Sequence, residues 1–270
     1  PYLSRGLGDV YKRQDYRQHK DSIVNKGNVY LIPLPITQLD EFKTDSHPLH
    51  NTQIINQLNC FAVESIRTAR RFLKKINRNI DIDQLHFIEL NKKTTNEDLS
   101  KIITILKEGE NIGVMSESGC PGIADPGQEI CKRAHLNNIR IIPLIGPSSI
   151  LMALMASGLN GQQFTFHGYL PIKENEIIKK LNRLTKIPGA HIFIETPYRN
   201  AKLLQILIER LPKNKKLCVA IDVNGKNEKI ITKEIHKMKD VELNIKKQPT
   251  IFIFESVSYT HLTLPTKWWG

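Results

Sequence analysis

The feature that most limits what this chain can fold into is an alternation repeated along its first half. Short apolar runs rich in strand formers occur at 29–32, 60–64, 85–90, 112–115 and 140–144. Between them, segments 65–77, 96–109, 128–137 and 150–156 carry apolar residues at helical spacing. Strands separated by helices cannot pair as hairpins, because each return along the sheet needs a crossover. The pattern predicts a mostly parallel sheet covered by helices on its faces.

Local signals sharpen these elements. In 65–77 the residues Ile66, Ala69, Phe72, Leu73 and Ile76 share one face, and Ser65 stands where an N-cap is wanted. The opposite face is basic, with Arg67, Arg70, Arg71, Lys74 and Lys75. In 96–109, Leu99, Ile102, Ile103 and Leu106 point inward and Gly109 supplies the stop. Past Phe164 the texture changes: strand candidates at 164–170, 191–194, 217–221, 229–235 and 250–254 are joined by helices at 173–184 and 201–210. The expected architecture is therefore α/β with two domains, 27–162 and 165–256, jointed at the GLNGQQ stretch 158–163.

The ends differ from this interior. Residues 1–14 and 257–270 hold no sustained period, and the chain closes on a bare Trp-Trp-Gly. Both read as non-native, adaptor-like or tail sequence and are set aside. No apolar run approaches the roughly 18 residues that a membrane-spanning helix requires, so no membrane association is expected. The four cysteines, Cys60, Cys120, Cys131 and Cys218, form no CxxC pair. That spacing argues for a reducing compartment, and the cytoplasm is the expected location. With 39 basic against 27 acidic residues the chain carries +12, a balance that favours a polyanionic partner such as RNA. Setting the two ends aside leaves the interior strongly basic.

Three loops follow the C-terminal ends of predicted strands, the rim at which open parallel sheets bind ligands. They are 33–38, 116–127 (SESGCPGIADPG) and 145–149. Their Gly and Pro residues let backbone N–H groups approach a ligand closely, and the helix beginning after Gly146-Pro147 adds a positive dipole end. Standard nucleotide signatures are absent: there is no G-x-x-x-x-G-K-[ST], and no G-x-G-x-x-G follows the first strand. His47 and His50 form an H-x-x-H pair lacking a third ligand, so no metal is expected. Ser148-Ser149 has no identifiable His partner and no G-x-S-x-G elbow, which argues against a hydrolase.

An ordered set of motifs then becomes specific: VYLIPLPI (29–36), VESIRTARRFLKK (63–75), SESGCPGIADPG (116–127), IPLIGPSS (142–149), ASGL (156–159), FHGYLP (166–171) and IETPYRN (194–200). This set resembles the tetrapyrrole methylase superfamily, and within it the branch acting on small-subunit ribosomal RNA. The resemblance spans about 27–255. It implies two α/β domains with S-adenosylmethionine held in the cleft between them, commonly in a homodimer. It further implies cofactor contacts from Leu34, Pro35 and Ile36, from Ser118, Gly119, Cys120 and Ile123, and from Ser148 and Ser149. In the second domain Glu195, Val223 and Asn224 fall on cofactor positions. The cofactor loops match more closely than the acceptor side: the branch's P-x-P-I-G-N reads Pro33-Leu34-Pro35-Ile36-Thr37-Gln38 here, and its E-D-T-R reads Glu64-Ser65-Ile66-Arg67.

Methylation of a ribose hydroxyl needs a group that can take its proton. Glu64, at the end of a strand, is the first candidate for that base, followed by Glu195 and Asp222; each could equally pair structurally with Arg67 or Arg199. Arg67, Arg70, Arg71 and Lys74 would meet acceptor phosphates, with Arg199 as a second phosphate contact and Tyr198 stacking on a base. Two other readings stay open: a methylase of a tetrapyrrole or corrinoid precursor, and an RNA-binding ribosome-associated factor that has lost catalysis.

Overall fold

The computed structural model describes residues 25–91, 94–125 and 127–256; the two end segments set aside above lie outside them. Two five-stranded sheets organise the chain. The first contains β1 (Val29–Leu31), β2 (Cys60–Val63), β3 (His86–Glu89), β4 (Ile112–Met115) and β5 (Ile141–Pro143). Its order is β3-β2-β4-β1-β5, with every pair parallel. The intervening helices are α1 (Leu49–Ile55), α2 (Ile66–Ile76), α3 (Asn96–Lys107), α4 (Gly127–Leu136) and α5 (Ser149–Ser157).

A parallel sheet must be covered on both faces, and β2 shows how its four buried residues divide between them. Phe61 and Val63 pack with Phe72 and Leu73 of α2, whereas Cys60 and Ala62 pack with Leu99, Ile102 and Leu106 of α3 and Ile130 and Ala134 of α4. The expected caps are in place: the Ser65 side chain accepts the Thr68 N–H, and Gly158 closes α5 at φ 66°. α1 has no counterpart among the sequence-predicted elements. Its seven residues follow Pro48 and carry little apolar periodicity; a tertiary contact holds the helix, since buried Asn51 donates from Nδ2 to the Ile145 carbonyl at 2.7 Å.

The second sheet contains β6 (Phe164–Tyr169), β7 (Ala190–Glu195), β8 (Lys216–Ile221), β9 (Lys229–Glu234) and β10 (Thr250–Glu255), with α6 (Glu174–Leu184), α7 (Asn200–Arg210) and the short α8 (Ile235–Met238). Its order is β6-β7-β10-β8-β9. Only β6 and β7 run parallel; the other neighbours are antiparallel. For β8 and β9 the reason is local, because the chain passes between them through a turn at 222–228 and not through a helix, so the pair closes as a hairpin.

The two sheets are tied together by α5. It leaves the first sheet after β5, yet its Ala153 and Leu154 pack on Ala190, Ile192, Cys218, Ala220 and Ile253 of the second. On the other face of that sheet, Phe252 and Phe254 meet α6 and α7. The Thr232 hydroxyl fastens the far end of α5 by donating to the Ser157 carbonyl at 2.7 Å. Among the described residues no helix is long and apolar enough to cross a membrane.

A histidine pair lies inside the second sheet. His191 Nε2 lies 2.9 Å from the Ile187 carbonyl and must donate to it, which leaves Nδ1 to accept from His167 Nε2 at 3.0 Å. His167 also stacks on Phe193, 5.1 Å between centroids. Burial, then the neighbouring His191, Lys180 and Arg183, pushes His167 down to about 4, and burial lowers His191 as well. Between that value and the ordinary 6.5 the unfolded chain binds the proton that the folded one refuses, so stability is full above 6.5 and lost as pH falls toward 4. Chemical unfolding of wild type and His167→Phe across this range should show a shallower pH slope in the variant; equal slopes would contradict the assignment.

Candidate functional site

The connections leaving β1 and β4 run in opposite directions along the sheet, the first toward β2 and the second toward β5, although the two strands are neighbours. Such a switch point opens a crevice beyond the strand ends. There the two loops clasp each other: Leu34 N donates to Gly119 O at 2.9 Å, and Gly119 N to Leu34 O at 3.1 Å. Gly119 sits at φ 70°, a conformation that glycine adopts without strain. The loop after β5 completes the group. Gly146 lies so close to Pro33 that an added Cβ would stand 2.2 Å from the proline Cβ, and Cys120 Sγ donates to Pro147 O at 3.3 Å. Burial raises the Cys120 thiol, which keeps it neutral.

Carboxylates brace the 116–127 loop. Asp125 accepts the N–H groups of Gly122 at 2.8 Å and Gly127 at 2.6 Å, the latter opening α4. Glu64 Oε2 accepts the Glu117 N–H at 3.0 Å. Burial, together with the adjacent carboxylates of Glu117 and Asp125, raises the Glu64 carboxyl above its ordinary value, and the Glu117 N–H works the other way. Its second oxygen has no hydrogen-bond partner among the described residues.

Across from these loops stands the end of the second sheet. A cavity of about 100 Å³ is lined by Ile36, Ser118 and Ser149 on one side and by Ala220, Asp222, Val223, Pro249 and Thr250 on the other. A larger one, about 230 Å³, lies between Pro33, Pro35, Ile36 and Thr37, the Ile145, Gly146 and Pro147 stretch, Phe42, His47 and Asn224. Ile36 belongs to both. Each is smaller than the roughly 300–1,000 Å³ usual for small-molecule sites, and both combine apolar walls with a few convergent polar groups. α5 begins beside this hollow with Ser148 as its N-cap, and its first residue, Ser149, is among those that line the smaller cavity.

The sequence-predicted residues sort as follows. Pro35, Ile36, Ser118, Ser149, Asp222, Val223 and Asn224 line the cavities. Leu34, Gly119 and Cys120 bind the loops to one another, and Ser148 caps α5. Ile123 is half exposed and lines neither cavity. Glu64 and Glu195 also lie outside the linings. Glu195 is buried, accepts the Thr196 N–H at 2.7 Å and pairs with Arg199 at 3.0 Å. Arg199 also donates to Pro171 O, so this pair fixes the turn after β7. Asp222, at φ 46°, spends a carboxylate oxygen on the Asn227 N–H at 2.9 Å.

On α2 the basic residues divide. Arg70 lies 5.4 Å over the Phe87 ring, Arg71 pairs with Asp40 at 3.0 Å, and Lys74 donates to the Arg78 and Ile80 carbonyls. Arg67 is exposed, and so is Tyr198. Sequence reasoning missed Phe42 and His47. His47 Nε2 is buried without a hydrogen-bond partner among the described residues, the imidazole is lowered by burial, and its ring stands edge-on to Phe72. The H-x-x-H spacing speaks only to a metal, which the sequence reading does not expect, and so gives His47 no place at the cleft; among the described residues no three His, Cys, Asp or Glu side chains gather to hold one.

Residues 52–238 match the sequence family of tetrapyrrole (corrin/porphyrin) methylases. A relative in Buchnera aphidicola subsp. Schizaphis graminum, ribosomal RNA small subunit methyltransferase I, is 31% identical over 78% of this chain and 70% of its own length. The methyltransferase CobJ superposes with a TM-score of 0.58 at 16% identity, over 85% of this chain and 94% of that one. Uroporphyrin-III C-methyltransferase from Thermus thermophilus, complexed with S-adenyl homocysteine, gives 0.51 at 12% identity over 85% and 97%. Matched over more than half its length, the chain belongs to the tetrapyrrole (corrin/porphyrin) methylase family and is by class an S-adenosylmethionine-dependent methyltransferase.

Proposed function

We propose that this chain transfers a methyl group from S-adenosylmethionine to a ribose 2′-hydroxyl of small-subunit ribosomal RNA. The observation that carries the reading is the convergence of three strand-tip loops, clasped at Leu34 and Gly119, on a hollow closed by the second sheet's Val223 and Thr250. The residues fit the donor: Ile36, Ala220 and Val223 offer apolar surface to an adenine, while the Ser118 and Ser149 hydroxyls and the α5 N-terminus offer polar partners. We take the two lobes as 27–162 and 165–256, with α5 of the first seated under the second. The RNA assignment draws on the rRNA methyltransferase relatives and on the +12 charge.

Bound S-adenosylmethionine supplies a methyl group on a positively charged sulfur. The loops at 33–36, 118–120 and 147–149 align the reacting partners and exclude water, which is most of what an in-line displacement asks of a protein. Glu64 takes the hydroxyl proton on its free oxygen, its raised affinity for protons making it a better base. Glu195, outside the linings, holds the turn at 195–199, and Asp222, at the wall of the smaller cavity, holds the turn at 222–227. Arg67, Arg70 and Arg71 face acceptor phosphates, Lys74 fixes the end of that surface through the Arg78 and Ile80 carbonyls, and Tyr198 and Arg199 complete the acceptor side. Leu151 and Met155, exposed and one turn apart on α5, support a homodimer, and the cytoplasm is the compartment in which we place the reaction.

The test is transfer of labelled methyl to RNA from unmethylated small subunits, offered beside a tetrapyrrole precursor. The reading expects label in the RNA, within a dinucleotide that resists alkaline cleavage. Label in the tetrapyrrole alone overturns it. So does the absence of any heat on titration with S-adenosylmethionine, the behaviour of a factor that has lost catalysis.

A further inference from the structure

We propose that an open basic recess beside the cofactor cleft seats the phosphodiester backbone of the acceptor, one step along the chain from the nucleotide that is methylated. The assignment rests on the RNA reading above. The recess has a volume of about 720 Å³ and lies between the segment after β1 and the C-terminal half of α2. Lys43, Arg71, Lys74, Lys75 and Arg78 wall it, against two acids, Asp40 and Asp45.

These cations are not equivalent. Lys74 is committed to the Arg78 and Ile80 carbonyls, which fixes the turn after α2 and so the shape of the recess. Arg71 holds Asp40 in an exposed pair that a phosphate, with more acceptor oxygens and more charge, can displace. Lys43, Lys75 and Arg78 are exposed and have no carboxylate partner among the described residues. An array of unneutralised cations around a concavity is what a polyanion backbone meets.

The position of the recess selects a polymer. Phe42 lines both the recess and the larger cavity of the cleft, and it is held by Phe72 at 6.2 Å and His47 at 6.3 Å. The partition is thus one side chain thick. A single nucleotide cannot occupy both sides of it, whereas a strand can lay a phosphate on Lys75 and Arg78 and pass the next residue over Phe42. The same segment reaches the other lobe, where Glu41 pairs with Lys226 at 3.7 Å.

The experiment measures binding of a small-subunit rRNA fragment to the full chain by anisotropy over a KCl series. For Lys75→Gln/Arg78→Gln we expect at least tenfold weaker binding at low salt and a log–log salt slope shallower by about 1–2, from the loss of two phosphate contacts. Titration with S-adenosylmethionine should give the wild-type affinity. A control pair of equal charge loss, Lys107→Gln/Arg140→Gln, should leave the slope unchanged. A wild-type slope in the recess variant, or the same loss in the control, overturns the recess while leaving the RNA reading intact. A wild-type chain that binds S-adenosylmethionine but no RNA at any salt overturns both.

Discussion

Gly146→Ala should lower the rate of methyl transfer by on the order of a hundredfold in a protein that still folds, because an ångström of misplacement between aligned reactants costs about that much in rate, and it should weaken S-adenosylmethionine binding as well. An added Cβ here would stand 2.2 Å from Pro33 Cβ and 2.6 Å from its Cγ, well inside contact distance. Neither atom sits at the end of a flexible side chain, so the loop after β5 must move off the loop after β1. That movement carries Pro147 away from Cys120 and displaces Ser148 and Ser149, which open α5. Gly161→Ala is the matched control, since nothing lies within 4 Å of its would-be Cβ. Methyl-transfer rates and calorimetric titration, with a thermal melt to confirm folding, read the difference. Equal rates and affinities in the two variants would mean that the apposition of these loops does not shape the donor site.

The second large effect concerns Glu64. Replaced by Gln, it should lose a factor of about 10²–10⁴ in kcat, the range for removing a general base, with the affinity for S-adenosylmethionine retained. Gln keeps an oxygen to accept the Glu117 N–H, now at 3.0 Å, so a purely bracing role would survive the change. The pH profile separates the two roles again. Burial raises this carboxyl, so the wild-type rate should climb with pH through a value above the ordinary carboxylate range and then level off, and that acidic limb should vanish in Glu64→Gln. A variant that retains the wild-type kcat would assign Glu64 to the loop and not to the proton.

How far these sites could be read in advance follows the range of the forces involved. Ser65 as N-cap and Gly158 as a left-handed stop are decided within one turn of helix, and both stand where the local chemistry puts them. The strand-tip loops were legible for a similar reason: a parallel sheet leaves ligand-facing loops at one rim, and Gly119 and Pro147 mark two of them. What local signals do not carry is which surface a helix will cover. α5 follows β5 in sequence, yet its Ala153 and Leu154 are buried against the second sheet. α1 depends on Asn51 reaching the Ile145 carbonyl, a contact 94 residues away in the chain. The antiparallel pairing of β8 with β9 depends on a hairpin whose φ 46° and 63° turn residues are Asp222 and Asn224, not glycine. Phe42 and His47 belong to a stretch without period, so their place at the cleft arises from packing on each other and on Phe72.

Amide hydrogen exchange with and without S-adenosylmethionine tests the central claim most directly. If the donor is gripped between the lobes, protection should rise together at 34–36, 118–120 and 147–150 in the first and at 220–224 and 249–251 in the second. Protection confined to one of the two sets, or found only along 39–45, would contradict it.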